Sequence, residues 1–190
     1  MKLASGIIAL IGLILISIML IPKPIKPIPI TQDITFPITL QTNDKPTFAE
    51  FYNYTCSFCQ TQHKAIFPSI APTFSISYVP LPFYNQLSKE QDDLHKGSIC
   101  VAQHYDNQTF YKYHDKAFQT QKYQNSLPNN VDKELINKCI TDPKTQDIVN
   151  QIYQLAKTLK ITKTPTVIYN NNIYVGAIPA KSWQEIMEEK

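Results

Sequence analysis

The chain has 190 residues, 43% of them apolar and 17% charged, a balance that supports a packed core and argues against intrinsic disorder. All 18 basic residues are lysine, and 15 acids leave a net charge of +3. Without arginine or a basic cluster, no nucleic-acid partner is expected.

The first element is an almost unbroken apolar run from Leu3 to Ile21, long enough to cross a bilayer as a helix rising about 1.5 Å per residue. Met19-Leu20-Ile21-Pro22-Lys23 lacks the small residues of a cleavage site, so residues 1–21 are expected to be an uncleaved transmembrane anchor rather than a signal peptide. The charges do not fix its orientation, because Lys2 precedes the run while Lys23 and Lys26 follow it, against the usual positive-inside bias. Residues 22–33 read as a linker: Pro22, Pro24, Pro27 and Pro29 alternate with Ile and Lys, favouring an extended spacer over a packed element. Residues 34–190 then have the size of one ordinary domain.

Within that domain Ile34, Phe36, Ile38 and Leu40 alternate as in a strand, and Pro37 restricts it to a sheet edge. After a turn at 42–46, Phe48-Ala49-Glu50-Phe51-Tyr52 reads as a central strand. Glu50 is costly to bury there, and a buried acid would have a raised pKa suited to relaying a proton; the alternative is a strand-end acid facing water. Cys56-Ser57-Phe58-Cys59 follows, opening a helix expected to bend or end near Pro68 and Pro72. Two cysteines so spaced at a helix start suit thiol chemistry, since unpaired N–H groups and the helix dipole favour a thiolate on the first sulfur. A zinc half-site, a haem attachment site and a structural loop are the rival readings. Haem attachment would need His where Gln60 stands, and the other cysteines, Cys100 and Cys139, form no second close pair. Neither a metal nor a cofactor is expected.

Ile76 to Leu81 reads as the next strand, followed by helical periodicity at 88–104, 108–120, 131–139 and 144–160. Thr164-Pro165-Thr166 heads a strand with a proline, a position that sometimes marks a cis bond. Residues 164–169 and 172–176 should form a hairpin around Asn170-Asn171, with a last helix from Ser182 to Glu189. Cys100 and Cys139 are a candidate structural disulfide, or else two separately buried thiols. His63, one helical turn beyond Cys59, could tune the pair but is expected to be a solvated helix residue. His95, His104 and His114 have no ligand spacing. Tyr52, Tyr54 and Phe58 are candidates for a substrate groove.

From about Pro46 to the C-terminus these motifs, in this order, resemble the DsbA-like thiol:disulfide oxidoreductases of the thioredoxin superfamily. The resemblance rests on Phe48 to Phe51, Cys56 to Cys59, Ile76 to Pro82, Tyr111 to Phe118, Thr164-Pro165-Thr166 and Asn170 to Gly176. It implies an α/β, thioredoxin-like fold with a helical insertion at about 88–160, preceded here by the single N-terminal transmembrane helix. It also implies a catalytic set of Cys56, Cys59, Glu50 and a cis Pro165, with Thr164, Ser57 and Phe58 meeting substrate. Partners would be unfolded or partly folded cysteine-containing proteins and a membrane redox partner, with the domain facing the periplasm or cell exterior.

The expected function is disulfide formation in secreted or envelope proteins through Cys56 and Cys59. Strong oxidants of the group carry His within the motif; Ser57 and Phe58 stand here, so a milder oxidant is expected. Thr164 and the aromatic Phe58 look more like the isomerase branch, but residues 22–45 are too short for that branch's dimerisation domain. An isomerase or reductase on the same fold, and a non-catalytic binding or chaperone module, are the alternatives.

Overall fold

In the computed structural model the described residues are 27–30, 47–65, 75–82 and 87–188. The anchor at 1–21, the strand expected at 34–40 and the bend expected near Pro68 and Pro72 lie outside them. Among the described residues no helix is long and apolar enough to cross a membrane.

Among the described residues five strands form one sheet: β1 (Ile28–Pro29), β2 (Thr47–Tyr52), β3 (Ser75–Pro80), β4 (Thr166–Tyr169) and β5 (Asn172–Val175). They lie in the order β1-β5-β4-β2-β3. β2 and β3 are parallel, with α1 (Ser57–Ala65) lying between them in the chain, while β4 runs antiparallel to both β2 and β5. The hairpin turn falls on Asn170 and Asn171, at φ 47° and 56°, the left-handed conformation that a two-residue turn needs at both positions and that asparagine tolerates well. One expectation is corrected. Ile28 and Pro29, assigned to the extended spacer, pair with Ile173 and Asn172 of β5, and Ile30 N donates to Asn171 O. The alternation of Ile with Pro suits an edge strand as well as a spacer, because an edge needs only one row of donors.

Period-two alternation sorts β2 between two cores. Phe48 and Tyr52 pack on one face with Ile76, Tyr78, Val167, Tyr174 and Trp183. Ala49 and Phe51 point to the other, against Val149, Ile152, Ala156 and Leu159, which lie on or just beyond α6 (Pro143–Thr158). Glu50 stands on the Phe48 face, opposite Tyr78 and Val167 in register.

The insertion comprises α2 (Lys89–His104), α3 (Asn107–Thr120), the short α4 (Tyr123–Ser126), α5 (Lys133–Thr141) and α6; α7 (Ala180–Glu188) closes the described chain. Four helix starts have side-chain caps: Ser88 with Gln91 in a capping box, Asp106, Asp132 and Asp142. Only α4 had no counterpart in the periodicity, being too short to show one. Gly97 lets α2 approach α3 and α4: a Cβ there would overlap the Tyr113 hydroxyl and lie 2.9 Å from the Tyr123 ring. Cys100 on α2 and Cys139 on α5 are joined as a disulfide, with Cα atoms 5.9 Å apart.

Candidate active site

Cys56 is the residue before α1, and the turn that places it is held by Asn53. The Asn53 side-chain oxygen accepts from Thr55 N and Thr55 Oγ1, both at 2.9 Å, and its carbonyl accepts from Cys56 N at 3.0 Å. The first turn of α1 then aims its N–H groups at the sulfur, with Cys59 N 3.4 Å from Cys56 Sγ. Cys56 and Cys59 are unbonded thiols, the first partly exposed and the second buried.

Their environments push the two thiols apart. Cys56 is lowered to about 5, chiefly because the Cys59 thiol donates to its thiolate; burial works against this, and the helix-start N–H groups and the Thr164 side chain assist. Cys59 is raised, first by burial, then by its bond to Cys56 and by the charge of Glu50. One sulfur is therefore a nucleophile at neutral pH, while the other holds its proton until a base takes it.

The Thr164-Pro165 peptide bond is cis. It brings the Thr164 carbonyl to 3.3 Å from Cys56 Sγ, across 108 positions of sequence. Gly176 N donates to Pro165 O at 2.8 Å and Thr166 Oγ1 to Lys163 O at 2.7 Å, so the loop is fixed from both sides.

Glu50 is fully buried beneath the pair. Burial raises its carboxyl well above the usual range, a bond from Gln62 offsets part of that, and the Cys56 charge adds to it. Gln62 was not singled out from the sequence, although its position three residues after Cys59 puts both on one helix face. Its Nε2 donates to Glu50 Oε1 at 3.1 Å.

Of the residues expected to meet substrate, Ser57 and Phe58 are exposed, Phe58 by 65%, and Thr164 lines the loop beside Cys56. Tyr52 and Tyr54 do not reach the surface beside the motif. Both are fully buried, because they bridge the sheet to the insertion: Tyr52 Oη donates to Ser98 Oγ at 2.9 Å, and Tyr54 Oη shares a 2.8 Å hydrogen bond with His114 Nδ1. His63 is not solvated either. Its side chain is 11% exposed, is bonded to Asp115 and stacks on Phe118, since α3 covers the helix face that sequence alone leaves open. Among the described residues no cluster of ligands could hold a metal ion.

A sequence model of a family described as thioredoxin matches residues 41–189. A search of curated proteins gives no match. Among solved structures, the thiol-disulfide exchange protein alpha-DsbA2 from Wolbachia pipientis superposes with a TM-score of 0.68 at 20% identity, covering 83% of this chain and 88% of that one. Oxidised BdbD from Bacillus subtilis gives 0.68 at 19%, covering 86% and 97%. A periplasmic thioredoxin-like protein from Salmonella enterica serovar Typhimurium gives 0.62 at 19%, covering 84% and 92%. At these identities the likeness is one of fold, a thioredoxin unit carrying a helical insertion. The family model, however, spans the strand with Glu50, the cysteine pair, the cis-proline loop and the last helix, and on that match the chain belongs to the thioredoxin family.

Proposed function

We propose that this chain is a thiol:disulfide oxidoreductase that forms disulfides in cysteine-containing proteins outside the cytoplasm, tethered to a membrane by residues 1–21. The observation that carries the reading is the asymmetry of the pair: a partly exposed Cys56 thiol, lowered to about 5 and placed to donate to the Thr164 carbonyl, and a buried Cys59 raised above the usual thiol range, whose proton needs a neighbouring base to remove it. In the oxidised protein a substrate thiolate attacks Cys56 Sγ and the Cys56–Cys59 bond breaks. Cys59 leaves with the electron pair and takes a proton from Glu50. A second substrate thiolate then attacks the substrate sulfur of the mixed disulfide, and Cys56 leaves as a thiolate; two electrons have passed to the protein. A membrane redox partner takes them up. Substrate chains lie along the Thr164-Pro165 loop as an added strand, with Ser57 and Phe58 at the rim. Support for the setting comes from the Cys100–Cys139 disulfide, which an oxidising compartment favours, and from the periplasmic source of one structural neighbour.

Isomerase or reductase chemistry on the same site is the second reading, favoured by Thr164 before the cis proline and by Phe58 in the motif. Equilibrating the full chain in detergent against glutathione separates them. A potential of about −120 to −180 mV fits an oxidase or isomerase, and one near about −270 mV a reductase. Oxidation of a reduced two-cysteine peptide, against reshuffling of a scrambled one, then divides the first two. Client binding that survives Cys56→Ala with no exchange by the wild type would instead establish a binding module.

A further inference from the structure

Resting on the reading that Cys59 exchanges its proton with Glu50, we infer that Gln62 is a positioning residue that orients the Glu50 carboxyl and confines the transferred proton to Oε2. Gln62 is fully buried in α1, and its side-chain oxygen accepts from Ile178 N at 3.4 Å. A backbone N–H can only donate, so it must face the oxygen of the Gln62 amide, and this sends the NH2 group toward Glu50. That NH2 group can itself only donate, so Glu50 Oε1, 3.1 Å away, must be an acceptor. In a neutral carboxyl the acceptor is the carbonyl oxygen, which leaves the hydroxyl on Oε2. Oε2 is buried and has no hydrogen-bond partner among the described residues. With Oε1 committed to Gln62, Oε2 is the oxygen that gives a proton to the Cys59 thiolate or takes one from the thiol. Gln62 thereby links the acid to the segment leading into α7, since Ile178 N is held by the same amide. The other titratable groups that feel Glu50 are Cys56 and Cys59 at the head of α1, Tyr52 on β2 and Tyr78 on β3; none of them donates to Oε2.

Mixing the reduced full chain with Ellman's reagent reads the two sulfurs separately. The Cys56 thiolate attacks the reagent and releases one thionitrobenzoate. Cys59 then attacks Cys56 Sγ, its proton passes to Glu50, and a second thionitrobenzoate leaves. Gln62→Met should leave the first phase and its pH dependence unchanged. It should slow the second about tenfold, the usual scale for one lost bond to a charged group, and move its rising limb to higher pH, because the donation from Gln62 favours the carboxylate. In a Glu50→Gln background the same substitution should have no further effect on the second phase. An unchanged second phase, or equal slowing in both backgrounds, would overturn the assignment. Infrared difference spectra of the wild type, needing no change at Gln62, give an independent reading. The carbonyl stretch lost in Glu50→Gln should lie at a hydrogen-bonded frequency, and a free carbonyl frequency would refute it. Should no first phase occur, the exchange reading fails by itself, and the infrared band alone upholds or refutes the placement of the proton.

Discussion

The chain contains two cysteine pairs whose fates differ. Cys56 and Cys59 stand three positions apart at the head of α1, with one sulfur partly exposed, beside the N–H groups of the helix start and lowered to about 5. Cys100 and Cys139 are bonded between α2 and α5 across 39 positions, with Cys100 fully buried. A thiolate attacking that bridge at Cys139 would expel Cys100 into apolar packing, where an anion is poorly solvated. Reactivity here follows from what surrounds the sulfur and from where the leaving group must go.

Cys56→Ala should abolish exchange with both Ellman's reagent and cysteine peptides while leaving the circular dichroism unchanged; residual turnover would move the chemistry to another sulfur. The converse is the double substitution Cys100→Ala with Cys139→Ala. Exchange at Cys56 should persist, whereas stability should fall by about 4 kcal/mol, the chain-entropy value for a closed loop of this length. Urea unfolding checks it, and a loss of exchange without a loss of stability would erase the distinction between the pairs.

The Cys56–Cys59 pair was legible from sequence as a candidate site at a helix start because its signals are local: spacing, the strand before it and the helix after it. The cis proline was legible only through the order of motifs, since nothing in Thr164-Pro165-Thr166 alone fixes the isomer. What escaped was set by packing between elements remote in sequence. Gln62 gains its partner from β2, His63 gains Asp115 from α3, and Tyr52 and Tyr54 lose their solvent to the insertion. The same limit applies to β1, whose pairing depends on a strand about 145 residues downstream.

pH separates the two pairs, since the disulfide-bonded Cys100 and Cys139 do not titrate. The folded pKa of Cys56 lies below that of an unfolded cysteine, about 8.5. Its contribution to the stability of the reduced protein is complete above that value and is lost as pH falls through about 5. The oxidised protein has no such thiol. Between pH 8 and 5 the thermal midpoint of the reduced form should therefore fall relative to the oxidised form, and Cys56→Ser should remove the trend.

A smaller pH effect belongs to the layer that joins the two regions. Burial holds His114 well below the usual imidazole range, and His95 is lowered to about 4 for the same reason. Unfolded histidines bind protons near about 6.5, so unfolding takes up protons below that pH and stability falls as the solution becomes more acid. His114→Gln should lessen the slope by about one proton between pH 6 and 5. An unchanged slope would mean that the ring is already charged in the fold.

The smallest effect concerns the contact between α1 and α3. Asp115 is 58% exposed and His63 largely covered, so water screens the pair from one side, and Asp115→Asn should cost only about 0.5 kcal/mol. His63 is also held by its stacking on Phe118 and its edge contact with His114, which the substitution leaves in place. Because α1 also carries Cys56 and Cys59, a loosened His63 would change the reactivity of the active pair without touching the Cys100–Cys139 bridge. Alkylation of Cys56 in Asp115→Asn should keep a midpoint near about 5. A shifted midpoint with unchanged stability would show that the insertion tunes the thiolate through this contact, and the active pair would then owe part of its reactivity to α3 as well as to α1 and the cis-proline loop.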